Sequence, residues 1–246
     1  MTLEIALMIV GALIAIIGLE AGITGIWLTV KYYRFNRKEN SLGLTGMQVA
    51  RKILDDNGLE NIKVKRTSSL LFGNSYSHYF KKVRLRGLIR HETSLTSMGI
   101  GAQKAALAIL DKDGDEDMKK RIRLAPWVTF GPFAFIPLIA IGGLLDYFVF
   151  NGSGTCTLIL GAVGLLFYAY AVVLSVLTLK TEKKAQNKAY EILERDYHVT
   201  AEELSALKEL FRLYNIQYIN DIILSSLELL YTVLEIALAV QGKSNN

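Results

Sequence analysis

The sequence predicts a mainly α membrane protein, with four transmembrane helices and a small cytoplasmic α+β domain. Three observations carry this expectation. The chain is 51% hydrophobic over 246 residues, with a mean hydropathy of +0.29, which is too apolar for an ordinary soluble domain. Its apolar residues are gathered into long runs. Lys and Arg cluster beside those runs, as the positive-inside bias of membrane proteins requires. That clustering explains the net charge of +5 more simply than nucleic acid does, so no nucleic-acid partner is expected. The single cysteine, Cys156, excludes an internal disulfide and any cysteine-based zinc cluster.

Residues 1–30 are read as the first transmembrane helix. At about 1.5 Å per residue, the apolar run 5–30 is long enough to cross a hydrocarbon core of about 30 Å. It lacks a basic n-region and a small-residue cleavage site, so it reads as a retained span and not as a signal peptide. Gly18 and Gly22 form a GxxxG spacing that permits close helix contact. Glu20 lies within the span and is expected to turn into the bundle, because an acid facing lipid is costly. The cluster KYYRFNRK at 31–38 follows at once. It places the N-terminus outside and the next segment, 31–125, in the cytoplasm.

Within that segment a helix is expected over 44–58, with Thr45 as N-cap, Val49, Ile53 and Leu54 at helical spacing, and Asn57-Gly58 as the stop. Short strands are expected at 62–64 and 81–85, the second with Val83 and Leu85 alternating against charge. The pattern is helical again over 88–110. The acidic loop DKDGDED at 111–117 ends it. This loop fails as an EF-hand, because its glycine is fourth instead of sixth and Ile122 stands where the bidentate Glu belongs. It is read as a solvated turn.

Residues 126–179 are expected to form a transmembrane hairpin with spans at 126–147 and 156–179. The loop between them, 148–155, has no charge and fits the outside. Pro132 and Pro137 should kink the first of these spans. Lys180, Lys183, Lys184 and Lys188 then return the chain to the cytoplasm for 180–217. Thr200 with Glu203 is a capping box. It opens a long helix that becomes the fourth transmembrane helix, the segment 218–246 ending in an outer tail. Glu228 and Glu235 are seven apart, share a helix face and are expected to point into the bundle. The chain is thus expected in the cell membrane as a multi-pass protein with both termini outside. Cysteine labelling at Ser153 against Ser69 would report that orientation.

A run of short matches points to a family. Leu44-Thr45-Gly46, Val49-Ala50-Arg51, Ile53-Leu54 and Asn57-Gly58-Leu59 resemble the opening signature GLTGxxVAxxILxxNGL of the YugP-type membrane zinc metallopeptidases. The likeness continues through Val83-Arg84-Leu85, His91, Ser94, Lys112, residues 121–124 and 177–182, Ala185, Val199-Thr200, Glu202-Glu203 and residues 227–230. It covers most of the chain from Val30 onward at near-constant spacing. The resemblance implies that the cytoplasmic domain is metallopeptidase-like. It also implies a zinc site built from HEVGHA on a helix and a glutamate after the third span.

That glutamate position falls on Glu182. The histidine, glutamate and histidine positions fall on Gln103, Lys104 and Leu107, at the spacing i, i+1, i+4. Catalytic zinc needs three protein ligands and an open position for water. Leu107 has no donor atom, Gln103 offers only an amide, and Lys104 puts a cation where the family has its general base. The histidines do not replace them: His78 and His91 match non-ligand positions, and His198 sits in a turn. His91-Glu92 begins like HExxH, but Leu95 takes the fifth place.

The expectation is therefore a pseudopeptidase, a catalytically inactive homologue acting as a scaffold or regulatory partner. Its partners would be the lipid bilayer and a membrane protein, an active paralogue or another membrane protease. No cofactor is expected, with zinc held in a non-standard site as the alternative. A second alternative is a small transport role using Glu20, Glu228 and Glu235. Without metal, Lys104 is placed to neutralise Glu182, and a salt bridge between them is expected.

Overall fold

The structure is a computed structural model and describes residues 2–67, 73–128, 132–152 and 154–244. In chain order it runs α1 (Leu3–Asn36), α2 (Gly46–Asp56), β1 (Lys63–Thr67), β2 (Ser75–Ser77), β3 (Lys82–Arg86), α3 (Gly87–His91) and α4 (Leu95–Lys112). Then follow α5 (Glu116–Val128), α6 (Pro132–Phe148), α7 (Thr155–Arg195) and α8 (Ala201–Ser244). The fold is mainly helical with one small sheet. Two compact units divide it: an apolar unit of Met1–Ile23, Arg123–Leu177 and Tyr218–Asn246, and a polar unit of Thr24–Ile122 and Thr178–Gln217.

In the polar unit α2 starts at its expected cap. The Thr45 side chain accepts from the Gln48 amide, and the Gln48 side chain returns to the Thr45 amide, which closes a capping box. Val49, Ile53 and Leu54 are buried, as their spacing requires. α2 lies against α4 through two glycines. A Cβ on Gly101 would overlap the Gly46 carbonyl, and one on Gly46 would overlap the Ile89 carbonyl.

Two expectations need correction here. The helical stretch 88–110 is two helices, because Ser94 breaks it: its side chain caps α4 by accepting from the Ser97 amide at 3.1 Å. Asn40 holds the break open, its Nδ2 donating to the Thr93 carbonyl at 2.5 Å and the Ser94 carbonyl at 3.2 Å. The sheet also has a third strand, β2, too short to show alternation. The order is β1-β3-β2, with β1 parallel and β2 antiparallel to β3. Val83 pairs with Val64 and Tyr76 on the face turned to the core, where Leu85 is also buried.

In the apolar unit the buried Asp146 caps the start of α7, accepting from the Cys156 amide at 2.9 Å and the Thr157 amide at 2.8 Å. The turn between α6 and α7 uses left-handed backbone at Asn151 and Gly152. Pro137 lies inside α6, and Pro132 is the first described residue of that helix.

Among the described residues two helices, α1 and α7, are long and apolar enough to cross a membrane. Four were expected: the described residues of the second, 126–147, fall on the end of α5 and on α6, and the fourth falls on the C-terminal part of α8, and neither α6 nor α8 is among those two helices. Glu20, Glu228 and Glu235 are exposed on their helices instead of turned inward. Glu228 does accept from the Tyr168 hydroxyl at 3.0 Å. The labelling positions Ser69 and Ser153 lie outside the described residues.

Candidate functional site

α4 is buried along almost its whole length. Over 100–109 its only polar side chains are Gln103 and Lys104, which are 6% and 8% exposed as residues. An ammonium taken that far from water requires an opposite charge. α7 supplies it. Ala185, Ala189 and Ile192 face the core, and Glu182 precedes Ala185 by three residues and Ala189 by seven, so helix periodicity turns it to the same side.

Lys104 Nζ lies 2.7 Å from Glu182 Oε2, and the same oxygen accepts from Gln103 Nε2 at 2.9 Å. The other oxygen, Oε1, takes Arg121 Nη2 at 3.1 Å. Arg121 lies on α5, three residues after the buried Met118, and its second nitrogen donates to Thr181 Oγ1 at 2.7 Å. Burial opposes ionisation of Glu182. The charges of Lys104 and Arg121, with the hydrogen bonds both donate, outweigh burial and hold its carboxyl below the usual carboxylate range.

The node thus joins α4, α5 and α7 in the polar unit. Beside it Lys184 Nζ bridges Asp115 and Asp117, at 2.6 Å to each, and Lys180 adds a third contact at 3.0 Å to Asp117. Within the acidic stretch 111–117, expected to be a solvated turn, Asp115 and Asp117 are therefore ion-paired to α7, while Asp113 and Glu116 are exposed. Asp111 Oδ2 accepts from the Tyr76 hydroxyl and lies against His78 Nδ1, both at 2.6 Å. The lysines of α7 that sequence alone assigns to a membrane boundary are what Asp115 and Asp117 meet.

Leu107 lies one turn beyond Gln103, 1% exposed and packed in the core. His91 and His198 are exposed, the latter in a left-handed turn with φ +54°. Arg121 is the member of the node that sequence reasoning missed. Its only signal was its place in the matched stretch 121–124, inside the basic cluster KKRIR at 119–123, which reads as boundary charge before an apolar run.

The residues present do not fit a zinc ion. Both oxygens of the one carboxylate are engaged by cations, an ammonium and a guanidinium crowd it, and Leu107 offers no donor. Among the described residues no group of three or more His, Cys, Asp or Glu side chains gathers that could hold a metal.

The geometry defines a helical polar unit around a buried ion-pair node, in a chain with two membrane-length apolar helices. The profile of the family described as "Putative neutral zinc metallopeptidase" matches residues 6–237. The chain belongs to that family. It is 24% identical over 215 residues to the "Putative membrane protease YugP" of Bacillus subtilis (strain 168), covering 87% of this chain and 89% of that protein. No solved structure matches the chain.

Proposed function

We propose that this chain is a pseudopeptidase: a member of a zinc metallopeptidase family in which an ion-pair node stands in place of the metal, and whose role is to bind another membrane protein. The observation that supports this most directly is the state of Glu182. A carboxylate whose Oε2 takes Lys104 and Gln103 and whose Oε1 takes Arg121 has both oxygens engaged by donors that a metal would have to displace. Lys104 would repel a divalent cation, and its Nζ donates to Glu182 Oε2 where the family places a carboxylate to accept a proton. The polar unit and the long helices are then a scaffold that presents a surface. The proposed topology has four spans, the polar unit in the cytoplasm and both termini outside, in keeping with the Lys and Arg beside each apolar run.

The test is zinc content per chain after purification in detergent without added metal, together with hydrolysis of an unstructured protein substrate. The wild type is expected to carry almost no zinc and to show no turnover. The triple variant Gln103→His/Lys104→Glu/Leu107→His, with Glu182 intact, is expected to take up about one zinc per chain. Wild-type protein with about one zinc and turnover abolished by Glu182→Gln would overturn the proposal.

A further inference from the structure

The sheet has a face that neither the core nor the node uses. Strand alternation and the observed register put Lys63 beside Lys82, Lys65 beside Arg84, and Arg86 at the end of β3, all on the side opposite Val64, Val83 and Leu85. β2 adds only Ser75 and Ser77 to this face. None of the three strands contains an acidic residue. Among the described residues Lys63, Lys65, Lys82 and Arg86 form no ion pair. Like charges directly opposite each other destabilise a sheet. Repulsion does act here: partial desolvation, Arg84 and Lys65 together hold the Lys82 ammonium below its usual range.

Beside the cations stand exposed aromatics. Phe80 is 67% exposed, with Lys82 Nζ 4.5 Å and the Arg84 guanidinium 5.7 Å from its ring centre, and Tyr79 next to it is 62% exposed. An aromatic ring flanked by cations is the composition of a membrane interface. Arg86 lies within electrostatic reach of Tyr32 on α1 and Tyr214 on α8. In sequence, Tyr32 closes the apolar run of α1 and Tyr214 precedes that of α8.

We infer that this basic sheet face is a docking surface for anionic phospholipid headgroups, with Phe80 entering the interface beside Lys82 and Arg84. The inference rests on the membrane placement proposed above. Each Lys or Arg held near an anionic leaflet adds attraction that salt screens. Tethering by the spans keeps the surface close to the headgroups, so the contact needs little intrinsic affinity. The face then holds the polar unit against one leaflet and makes its position dependent on lipid charge.

The experiment uses the full chain with Cys156→Ser and Ser77→Cys, which leaves every cation in place, carrying an environment-sensitive dye. It is reconstituted in nanodiscs of zwitterionic lipid, or of zwitterionic plus anionic lipid, with a quencher on the headgroups. Quenching is expected to be at least about twofold stronger in the anionic discs, and to fall to the zwitterionic level as salt rises from about 0.1 M to about 1 M. Adding Lys63→Glu and Lys65→Glu should remove the difference, with thermal unfolding unchanged as a check on folding. Equal quenching in both discs would overturn the inference while leaving the membrane placement intact. So would quenching that ignores lipid charge but yields to an oligonucleotide or an acidic protein. A chain that does not remain with the discs at all would overturn the membrane placement and the inference together.

Discussion

Lys104 and Glu182 show what a single charge exchange does in a buried site. Each is tolerated because the other is there, and removing one strands its partner. Lys104→Ala is expected to destabilise the protein by about 3 kcal/mol, the lower end of the range for broken buried pairs because Arg121 remains. Adding Glu182→Gln should recover part of that loss, since an amide needs no counter-charge. Thermal unfolding in detergent would measure both, and equal stability of the two variants would remove the node as a stabilising element. The pH dependence has a definite sign. The Glu182 carboxyl is depressed in the folded protein, so its stabilisation is present above its unfolded value of about 4.3 and is lost as pH falls through the lower folded value. Asp117, held low by the hydrogen bonds from Lys184 and Lys180, and Asp115, where Lys184 outweighs burial, act in the same sense. Acid should therefore unfold the wild type more steeply below about pH 4 than it unfolds Glu182→Gln.

At the scale of elements, close approach decides the packing of α2 on α4. Gly101→Ala would drive a methyl group into the Gly46 carbonyl, and overpacking of this kind costs about 1–3 kcal/mol. Gly22→Ala is the control: nothing lies within 4 Å of its Cβ position, so the gain in helix propensity should leave stability unchanged or slightly raised. Unfolding midpoints of the two variants would separate these roles. Asn40 matters in the same way, because its amide bonds both carbonyls at the break before α4 and the Leu44 carbonyl at 2.9 Å. Asn40→Ala should cost about 2 kcal/mol by removing these bonds together with those that its side-chain oxygen accepts from the Leu42 and Leu44 amides.

For the whole molecule, the sharpest expectation concerns sidedness. With Cys156→Ser as background, Asn151→Cys lies in the turn between α6 and α7, and Asp113→Cys lies just past the end of α4. Both positions are exposed. In intact cells a membrane-impermeant thiol reagent should label the first and spare the second until the membrane is opened. The reverse pattern would invert the proposed topology. The Lys and Arg of 31–38, 119–123 and 180–188, beside the first three apolar runs, are the physical reason for the expected order.

The sequence by itself determined what depends on local pattern. Helix caps at Thr45 and Thr200, the apolar runs and two of the three strands were legible because capping and periodicity act within a few residues, whereas the positions Gln103, Lys104, Leu107 and Glu182 were placed by the resemblance to a metallopeptidase family. The tertiary structure decided what depends on partners distant in the chain. Ser94 reads as a helix-cap residue in sequence, but the break it makes in the stretch 88–110 is held by Asn40, distant in the chain, which bonds the Thr93 and Ser94 carbonyls. Asp115 and Asp117 are ion-paired and not solvated only because α7 brings Lys184 to them. Arg121 belongs to the node only because α5 turns it toward Glu182. A charge reads the same along a chain whether it faces water, a membrane boundary or a buried acid. Burial sets the difference, and burial is a property of the folded chain.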